Sequence, residues 1–400
     1  MKFALLSHTL PPSNSGQALV IQRILRELDP NDYCLISPER YDDFDHGPTE
    51  RLQANYYHLP PVFRITRGHS FGLQHLREGV NIPLAVWQHA RLLTKLIRAE
   101  HCEAIVACTG DVTLLPAAYL ASRRTRVPFY AYIFDHYSYR EWADPAAAFW
   151  ARRFEPLLMK RAAGVIAPND VLRDDLRARF NIEPQVIYNP LDITPYQRDV
   201  GLNATRGESQ NGEVKIVYTG AIYEAHYDAF RNLMASLELL RRPDVRLHLY
   251  TNRSAEDLAS IGISGSLVRH PQLSPTEMPR VQTEADVLFL PLAFESPYPD
   301  LVRTSATTKL GEYLAARRPV LVHAPRDSFV SKYFREHDCG VVVDECDPEL
   351  LAAGLARLLQ DDDLRRRQEA NAWARACQDF AVTRSRAAFA QLLRVDRRQG

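Results

Sequence analysis

Short apolar stretches alternate with longer amphipathic stretches along the whole chain. The apolar stretches are predicted strands: 2–7, 33–37, 104–109, 129–135, 164–169, 185–190, 214–220, 245–252, 266–271, 286–292, 318–325 and 339–344. Between them, apolar residues recur every three or four positions, as at Ala18, Ile21 and Leu25, which is the spacing of amphipathic helices. Alternating strands and helices are typical of parallel sheets covered by helices on both faces, so the sequence predicts an α/β protein with two doubly wound sheets.

A polar, Gly- and Asn-rich stretch without either periodicity separates the two sets of strands. We therefore predict a first Rossmann-like domain over 1–195, a linker over 196–213 and a second Rossmann-like domain over 214–378. A terminal helix is expected within 379–400. A chain of 400 residues is longer than one hydrophobic core usually supports, which independently favours two domains.

Charge, cysteine spacing and the length of apolar runs argue against several classes of protein. The 49 Lys and Arg residues balance the 49 Asp and Glu residues, so the chain lacks the basic field of a general nucleic-acid-binding protein. The six cysteines show no CxxC or Cys/His ligand spacing, which favours free thiols in a reducing cytoplasm over a zinc site. No apolar run approaches the ~20 residues of a membrane span, and the first residues are interpreted as a strand rather than a signal peptide. We predict a cytoplasmic protein without a resident metal or cofactor.

The segment 301–325, LVRTSATTKLGEYLAARRPVLVHAP, carries polar residues suited to a ligand. Residue types that begin helices introduce it: Ser305, Thr307 and Thr308. Free backbone amides, hydroxyls and the Lys309 ammonium at one helix N-terminus suit a diphosphate, and Glu312 one turn on suits a ribose diol. A capped surface helix with a solvated Lys and Glu explains the same residues. The position before a late strand favours the ligand interpretation, because open α/β sheets bind ligands where strand ends meet helix N-termini.

The motif TTKLGEYLAARRPVL (307–321) resembles the donor-binding signature of the retaining family 4 glycosyltransferases, which have the GT-B fold. Residues 162–192 resemble the segment that closes the family's first domain, and 216–233 resemble the first strand, glycine turn and helix of its second domain. The resemblance implies two Rossmann-like domains facing each other across a cleft, with the terminal helix packed on the first. It also implies a hexosyltransferase-like enzyme that moves a sugar, with retention, from a nucleotide diphosphate sugar to a saccharide or lipid-linked hydroxyl. The implied setting is bacterial cell-envelope polysaccharide or glycolipid synthesis.

The resemblance assigns roles to residues of the second domain. Lys309 would contact the diphosphate and stabilise the leaving group, and Glu312 would bind the ribose. The loop before the helix would cradle the phosphates through these residues: Thr304, Ser305, Thr307 and Thr308. Gly220 would let the backbone approach the diphosphate, because it has no side chain.

The chain departs from the family pattern in two segments. Thr304 lies eight positions before Glu312, where the family has the first of its paired glutamates, so the identity of the donor sugar stays open. Nearby residues are candidates to replace that glutamate: Glu295, Asp300 and Arg303. Arg303 is also a candidate to stabilise the leaving group. Tyr223 and His226 stand where many members have a basic residue after the glycine turn, and Tyr223 is a candidate donor ligand.

Candidate residues of the first domain lie at the ends of predicted strands. Those on the acceptor side follow the first strand: Ser15, Gly16 and Gln17. Asp135 and His136 end the strand 129–135, where family members keep a His or Asp near the transferred sugar, so the resemblance makes both catalytic candidates. Residues 109–111 close another strand in the same way. A plain helix cap and a packed histidine are the alternatives.

Residues 148–164 combine aromatic and apolar side chains with four basic ones: Arg152, Arg153, Lys160 and Arg161. A basic, aromatic amphipathic helix binds anionic membrane surfaces, which would add peripheral membrane contact on the inner face and a lipid-linked acceptor. The alternative is a stripe that faces the core and has a solvated basic back.

Other functions of this fold make different demands on the sequence. A nicotinamide dehydrogenase needs a GxGxxG turn, which does not follow the first strand. A nucleotide-sugar 2-epimerase remains open and predicts conversion of the donor without an acceptor. A non-catalytic relative also remains open and predicts nucleotide affinity without release of sugar. No D-x-D pair stands at a predicted strand end, which favours metal-independent transfer.

Overall fold

The computed structural model describes residues 1–13, 15–41, 50–65, 74–138, 144–197 and 212–395. Within the predicted linker 196–213, residues 198–211 lie outside the described residues. Residues 396–400 of the predicted terminal segment also lie outside them.

The chain forms two compact units. Unit 1 consists of Met1–Tyr188 and Ser385–Gly400, and unit 2 consists of Asn189–Arg384. The last helix therefore starts in unit 2 and continues into unit 1.

Unit 1 contains a seven-stranded parallel sheet of order β3-β2-β1-β4-β5-β6-β7. Its elements are β1 (Phe3–Leu6), α1 (Gly16–Leu25), β2 (Tyr33–Ser37), β3 (Asn55–His58), α2 (Gln74–Ala99), β4 (Ala104–Cys108), α3 (Leu114–Thr125), β5 (Phe129–Tyr132), α4 (Pro145–Arg161), β6 (Gly164–Ala167), α5 (Asp170–Phe180) and β7 (Gln185–Val186). In register, Phe3 pairs with Tyr33 on one side and with Ala104 on the other.

Strand alternation divides the interior of unit 1 into two cores. Ala4 and Leu6 point into a core that residues of α2, α3, α4 and α5 complete. Phe3 and Leu5 point into the opposite core with residues of α1. The last helix, α15 (Val382–Val395), adds Phe389 to this second core.

Unit 2 contains a six-stranded parallel sheet of order β10-β9-β8-β11-β12-β13. Its elements are α6 (Thr194–Gln197), β8 (Val214–Thr219), α7 (Tyr227–Leu240), β9 (Val245–Tyr250), α8 (Ala255–Ser260), β10 (Leu267–His270), α9 (Met278–Thr283), β11 (Val287–Pro291), α10 (Pro299–Arg303), α11 (Thr308–Ala315), β12 (Val320–His323), α12 (Phe329–Glu336), β13 (Val341–Val343), α13 (Pro348–Gln360) and α14 (Asp362–Arg375). Ile216 and Tyr218 of β8 pack with residues of α7 and α13 in its core.

The prediction of two doubly wound parallel sheets is confirmed. The strand β3 was not predicted from the sequence. It is a short edge strand whose residues are exposed or only partly buried, so its apolar pattern is weak. The predicted strand 185–190 ends after Val186. Pro190 lacks the amide hydrogen that a ladder requires, which limits any extension.

Candidate functional site

The strand order of unit 2 reverses between β8 and β11, the two neighbouring strands at the centre of its sheet. Ligands of open α/β sheets bind at such switch points, outside the carboxyl ends of the strands. Gly220 directly follows β8, and the segment after β11 leads through α10 to α11. The sequence candidates of the second domain therefore lie around one switch point.

Gly220 and Lys309 meet at this edge. Gly220 has a φ of +118°, and a Cβ added there would lie 2.8 Å from Cε and 3.0 Å from Nζ of Lys309. The lysine stem thus occupies the space that a side chain at Gly220 would need, and the backbone conformation also favours glycine. Thr307 caps α11 through its side chain, which accepts from the Lys309 amide at 3.4 Å. The ammonium and the free amides of one helix N-terminus therefore lie beside the glycine turn.

The Lys309 ammonium is held in a partly apolar setting. Its Nζ lies 5.2 Å from the centroid of the Tyr218 ring. Burial lowers the pKa of Lys309, and the nearby Glu312 carboxylate opposes that change in part. A bound anion would favour the charged form, so Lys309 is suited to meet negative charge that grows during a reaction.

Glu312 is positioned by a chain of hydrogen bonds, most of which are buried. Gln282 of α9, fully buried, donates through Nε2 to Glu312 Oε2 at 3.3 Å and to Thr219 Oγ1 at 3.2 Å. The Tyr196 hydroxyl donates to Gln282 Oε1 at 2.6 Å. The Thr219 amide in turn donates to the Tyr313 hydroxyl at 3.1 Å. These contacts fix the carboxylate relative to the carboxyl end of β8.

The Thr304 hydroxyl forms a hydrogen bond within its own helix. Thr304 is buried at the end of α10, and its hydroxyl donates to the backbone oxygen of Asp300 at 2.8 Å. Arg303 forms a 3.4 Å ion pair with Asp300. Ser305 is partly buried, and its amide donates to the oxygen of Val302 at 3.3 Å. Thr308 is the first residue of α11 and is partly buried.

Glu295 is the exposed carboxylate after β11. Asp228, at the start of α7, accepts from the amides of Phe294 and Glu295 at 2.8 and 2.7 Å. This pair of charge-assisted bonds fixes the backbone beneath the Glu295 side chain.

The two residues that stand in place of a basic residue behave differently. His226 is buried, and burial together with the Lys309 ammonium lowers its pKa to about 3, so its imidazole is neutral near pH 7. Tyr223 is half-exposed, and its ring lies 4.3 Å from the His226 ring. The cation beside Gly220 is therefore Lys309, from α11, and His226 does not supply one.

In unit 1, the candidates after β1 lie beside the end of β4, where that sheet also reverses its order. Gln17 Nε2 donates to Ser7 Oγ at 2.9 Å and to the backbone oxygen of Thr109 at 3.0 Å. Ser15 caps α1 by accepting from the Ala18 amide at 3.0 Å, and Gly16 is the first residue of that helix.

Asp135 and His136 have different surroundings. The amides of Phe134 and Asp135 donate to Thr109 Oγ1 at 2.9 and 3.4 Å, which connects this loop to the segment held by Gln17. The His136 side chain is fully buried, and its Nε2 lies 3.6 Å from Asp175 Oδ2 of α5. Asp111 caps α3, because its Oδ1 accepts from the amides of Thr113 and Leu114 at 2.6 and 3.1 Å.

Sequence reasoning missed Gln282, Tyr196 and Asp228 as supporting residues of this site. Gln282 and Tyr196 lie in short helices outside any motif, and Asp228 lies within the matching segment 216–233 at a position to which the resemblance assigned no role. Among the residues that the structure describes, no group of three or more His, Cys, Asp or Glu side chains is placed to hold a metal ion. In the same part of the chain, no helix has both the length and the apolar character needed to cross a bilayer.

Family models match both halves of the chain. Residues 14–194 match Glycosyltransferase Family 4, and residues 213–361 match Glycosyl transferases group 1. Among curated protein sequences, no match is found.

Solved structures share the fold along nearly the whole chain. Anabaena Alr3699/HepE in complex with UDP is 15% identical with a TM-score of 0.68, and the match covers 98% of this chain and 99% of that one. Sucrose-phosphate synthase from Thermosynechococcus elongatus is 13% identical, with a TM-score of 0.68 and 100% of both chains covered. The trehalose 6-phosphate synthase from Burkholderia multivorans is 13% identical, with a TM-score of 0.67 over 100% of this chain and 99% of that one.

Proposed function

Since the chain belongs to the family 4, group 1 glycosyltransferases, we propose that it transfers a sugar from a nucleoside diphosphate sugar, bound by unit 2, to a hydroxyl acceptor. The proposal depends above all on the meeting of Lys309 with Gly220 at the N-terminus of α11. A diphosphate beside Gly220 would meet the ammonium and the free helix amides, and a ribose would reach Glu312 one turn on. Since Alr3699/HepE was crystallised with UDP and with UDP-glucose, a UDP-sugar is the first donor to test.

The proposed reaction breaks the bond between the anomeric carbon and a diphosphate oxygen. The acceptor oxygen bonds to that carbon, and the acceptor proton leaves with the nucleoside diphosphate. Negative charge grows on the leaving oxygens, where Lys309, Arg303 and the α11 amides stabilise it without a divalent metal. Retention, and a role in bacterial envelope polysaccharide or glycolipid synthesis, are proposed on the resemblance of 307–321 to the family signature.

The remaining candidates receive different proposed roles. Glu295 takes the place of the family's first glutamate at the donor sugar, because its carboxylate is exposed while Thr304 is turned into its own helix. Ser15, Gly16 and Gln17 form the acceptor side in unit 1, with Asp135 as the catalytic candidate there. His136 acts as a positioning residue, because its buried ring contacts Asp175.

The test is a thermal-shift panel of UDP-, GDP- and ADP-sugars, followed by donor turnover with and without acceptors. A donor at 100 times its Kd stabilises the fold by roughly 2.7 kcal/mol. We expect release of nucleoside diphosphate to depend on an acceptor and to be lost in Lys309→Ala. Formation of an epimeric nucleotide sugar without acceptor would show an epimerase instead. Nucleotide affinity without any release of sugar would show a binding protein, and either result would overturn the transfer reaction.

A further inference from the structure

The outward face of α2 is apolar toward its N-terminus and basic toward its C-terminus. Val80 and Trp87 are 56% and 45% exposed. The exposed basic residues follow along the same side of the helix, spaced three or four apart: Arg91, Lys95 and Arg98. The Arg91 guanidinium lies 4.7 Å from the centroid of the Trp87 ring, which joins the two parts.

The outward face of α4 has the same composition. Phe149 is 61% exposed and Leu157 is 44% exposed. Exposed basic residues surround them: Arg152, Arg153, Lys160 and Arg161. Trp150 and Phe154 instead pack against the core of unit 1. The aromatic residues of this helix therefore divide between the core and the surface. The solvent-facing side of α4 carries exposed apolar side chains in addition to its basic ones.

The two helices form one continuous surface. Trp150 Nε1 of α4 donates to the backbone oxygen of Gly79 in α2 at 2.8 Å. The preceding segment lies along α2, because the Ile65 amide donates to Asn81 Oδ1 at 2.9 Å. In the same segment Phe63 is 70% exposed. Large apolar side chains from three chain segments thus cluster on unit 1.

Within the described residues of α2 and α4, acidic side chains do not neutralise the basic ones. Each helix contains a single acidic residue: Glu78 in α2 and Glu155 in α4. Glu78 pairs with Arg77 at 3.3 Å, and the buried Glu155 pairs with Arg179. The chain as a whole has no net charge, so the basic character is concentrated locally.

We propose that this face of unit 1 docks the protein on an anionic lipid bilayer. Exposed aromatic rings suit the boundary between headgroups and acyl chains, and the surrounding cations suit lipid phosphates. A soluble partner protein would need a matching acidic groove, whereas a bilayer accepts any exposed helical face that combines apolar and basic side chains. This inference concerns where the enzyme works and is independent of the donor chemistry.

The test is sedimentation of the full chain with vesicles of phosphatidylcholine containing 30% phosphatidylglycerol, against pure phosphatidylcholine, at low salt. In one variant Arg91, Arg152 and Arg153 are changed to Gln. In a second, Trp87 and Phe149 are changed to Ser. The matched control changes three exposed basic residues of unit 2 to Gln: Arg280, Lys332 and Arg366.

We expect the wild-type chain and the control to bind the anionic vesicles and not the neutral ones. The basic variant should bind roughly 100-fold more weakly, and added salt should weaken the wild type in the same way. The aromatic variant should bind at least 10-fold more weakly at unchanged charge. Affinity for UDP, measured by titration calorimetry, should stay the same in all variants. Absence of anionic-vesicle binding by the wild type, equal binding to neutral vesicles, or an equal loss in the control would overturn the proposal.

Discussion

Lys309 and Glu312 lie one turn apart on α11, yet their surroundings suit different tasks. Lys309 contacts Gly220 where charge would grow on the leaving group, so Lys309→Ala should lower kcat by roughly 10²–10³-fold. Glu312 would hold ribose hydroxyls that do not change during the reaction, so Glu312→Gln should mainly raise KM. The rise should correspond to a loss of about 1–3 kcal/mol of donor binding free energy. Steady-state kinetics and calorimetry with the nucleoside diphosphate separate the two effects. Normal kinetics in both variants would show that the donor site does not lie on α11.

The lowered pKa of Lys309 predicts a pH dependence. Below that pKa the free enzyme carries the ammonium, so kcat/KM should fall as pH rises through it, at a pH below the ordinary 10.5. The free energy of unfolding should change in the opposite sense. The unfolded chain binds this proton more strongly, so Lys309 makes stability rise with pH between the two pKa values. The pH profile of kcat/KM, compared with that of Lys309→Ala, tests this. An identical alkaline limb in the variant would assign it to another group.

Gln282 should act on the nucleotide only through Glu312. Gln282→Met keeps the side-chain length but removes the hydrogen bonds to Glu312 and Thr219. We expect the Kd for the nucleoside diphosphate to rise about 10-fold, with little change in kcat. The decisive readout is the preference for the ribose nucleotide over its 2′-deoxy form, which should diminish together with the affinity. Equal losses for both nucleotides would mean that Gln282 is needed only for packing. Gln378→Met, at an exposed position of unit 2, is the control for the chemical change itself.

At the scale of elements, α15 completes a core that the rest of unit 1 leaves open. Phe389 is almost fully buried there, and its ring lies 5.7 Å from that of Phe3 in β1. Phe389→Ala should therefore lower the free energy of unfolding of unit 1 by about 3–5 kcal/mol. Leu350→Ala, at a position 45% exposed, should cost much less. Urea unfolding measures both. Affinity for the nucleoside diphosphate should survive in Phe389→Ala, because the proposed donor site lies in unit 2.

At the scale of the whole molecule, charge stabilisation by side chains predicts that transfer needs no divalent cation. Activity should persist in excess EDTA, because Lys309 and the α11 amides would take the role that Mg²⁺ plays elsewhere. The measurement is donor turnover in EDTA, with added Mg²⁺ or Mn²⁺ as the comparison. Turnover that disappears in EDTA and returns only with metal would contradict this prediction and the assignment of Lys309 as the main cation.

The sequence alone determined the features that depend on neighbouring residues. The alternation of strands and helices indicated two doubly wound sheets, because burial on both faces requires that pattern. Thr307, Lys309 and Glu312 fall within two turns of one helix, so their spacing already placed them together.

Tertiary structure decided the contacts between distant segments. Only the packing of β8 against α11 brought Gly220 to Lys309 and showed that the nearby cation is not His226, which burial keeps neutral. The packing of α9 beside α11 likewise brought Gln282 into hydrogen-bond distance of Glu312. Local preferences act over about one helical turn, whereas these contacts depend on how separate elements fill one core.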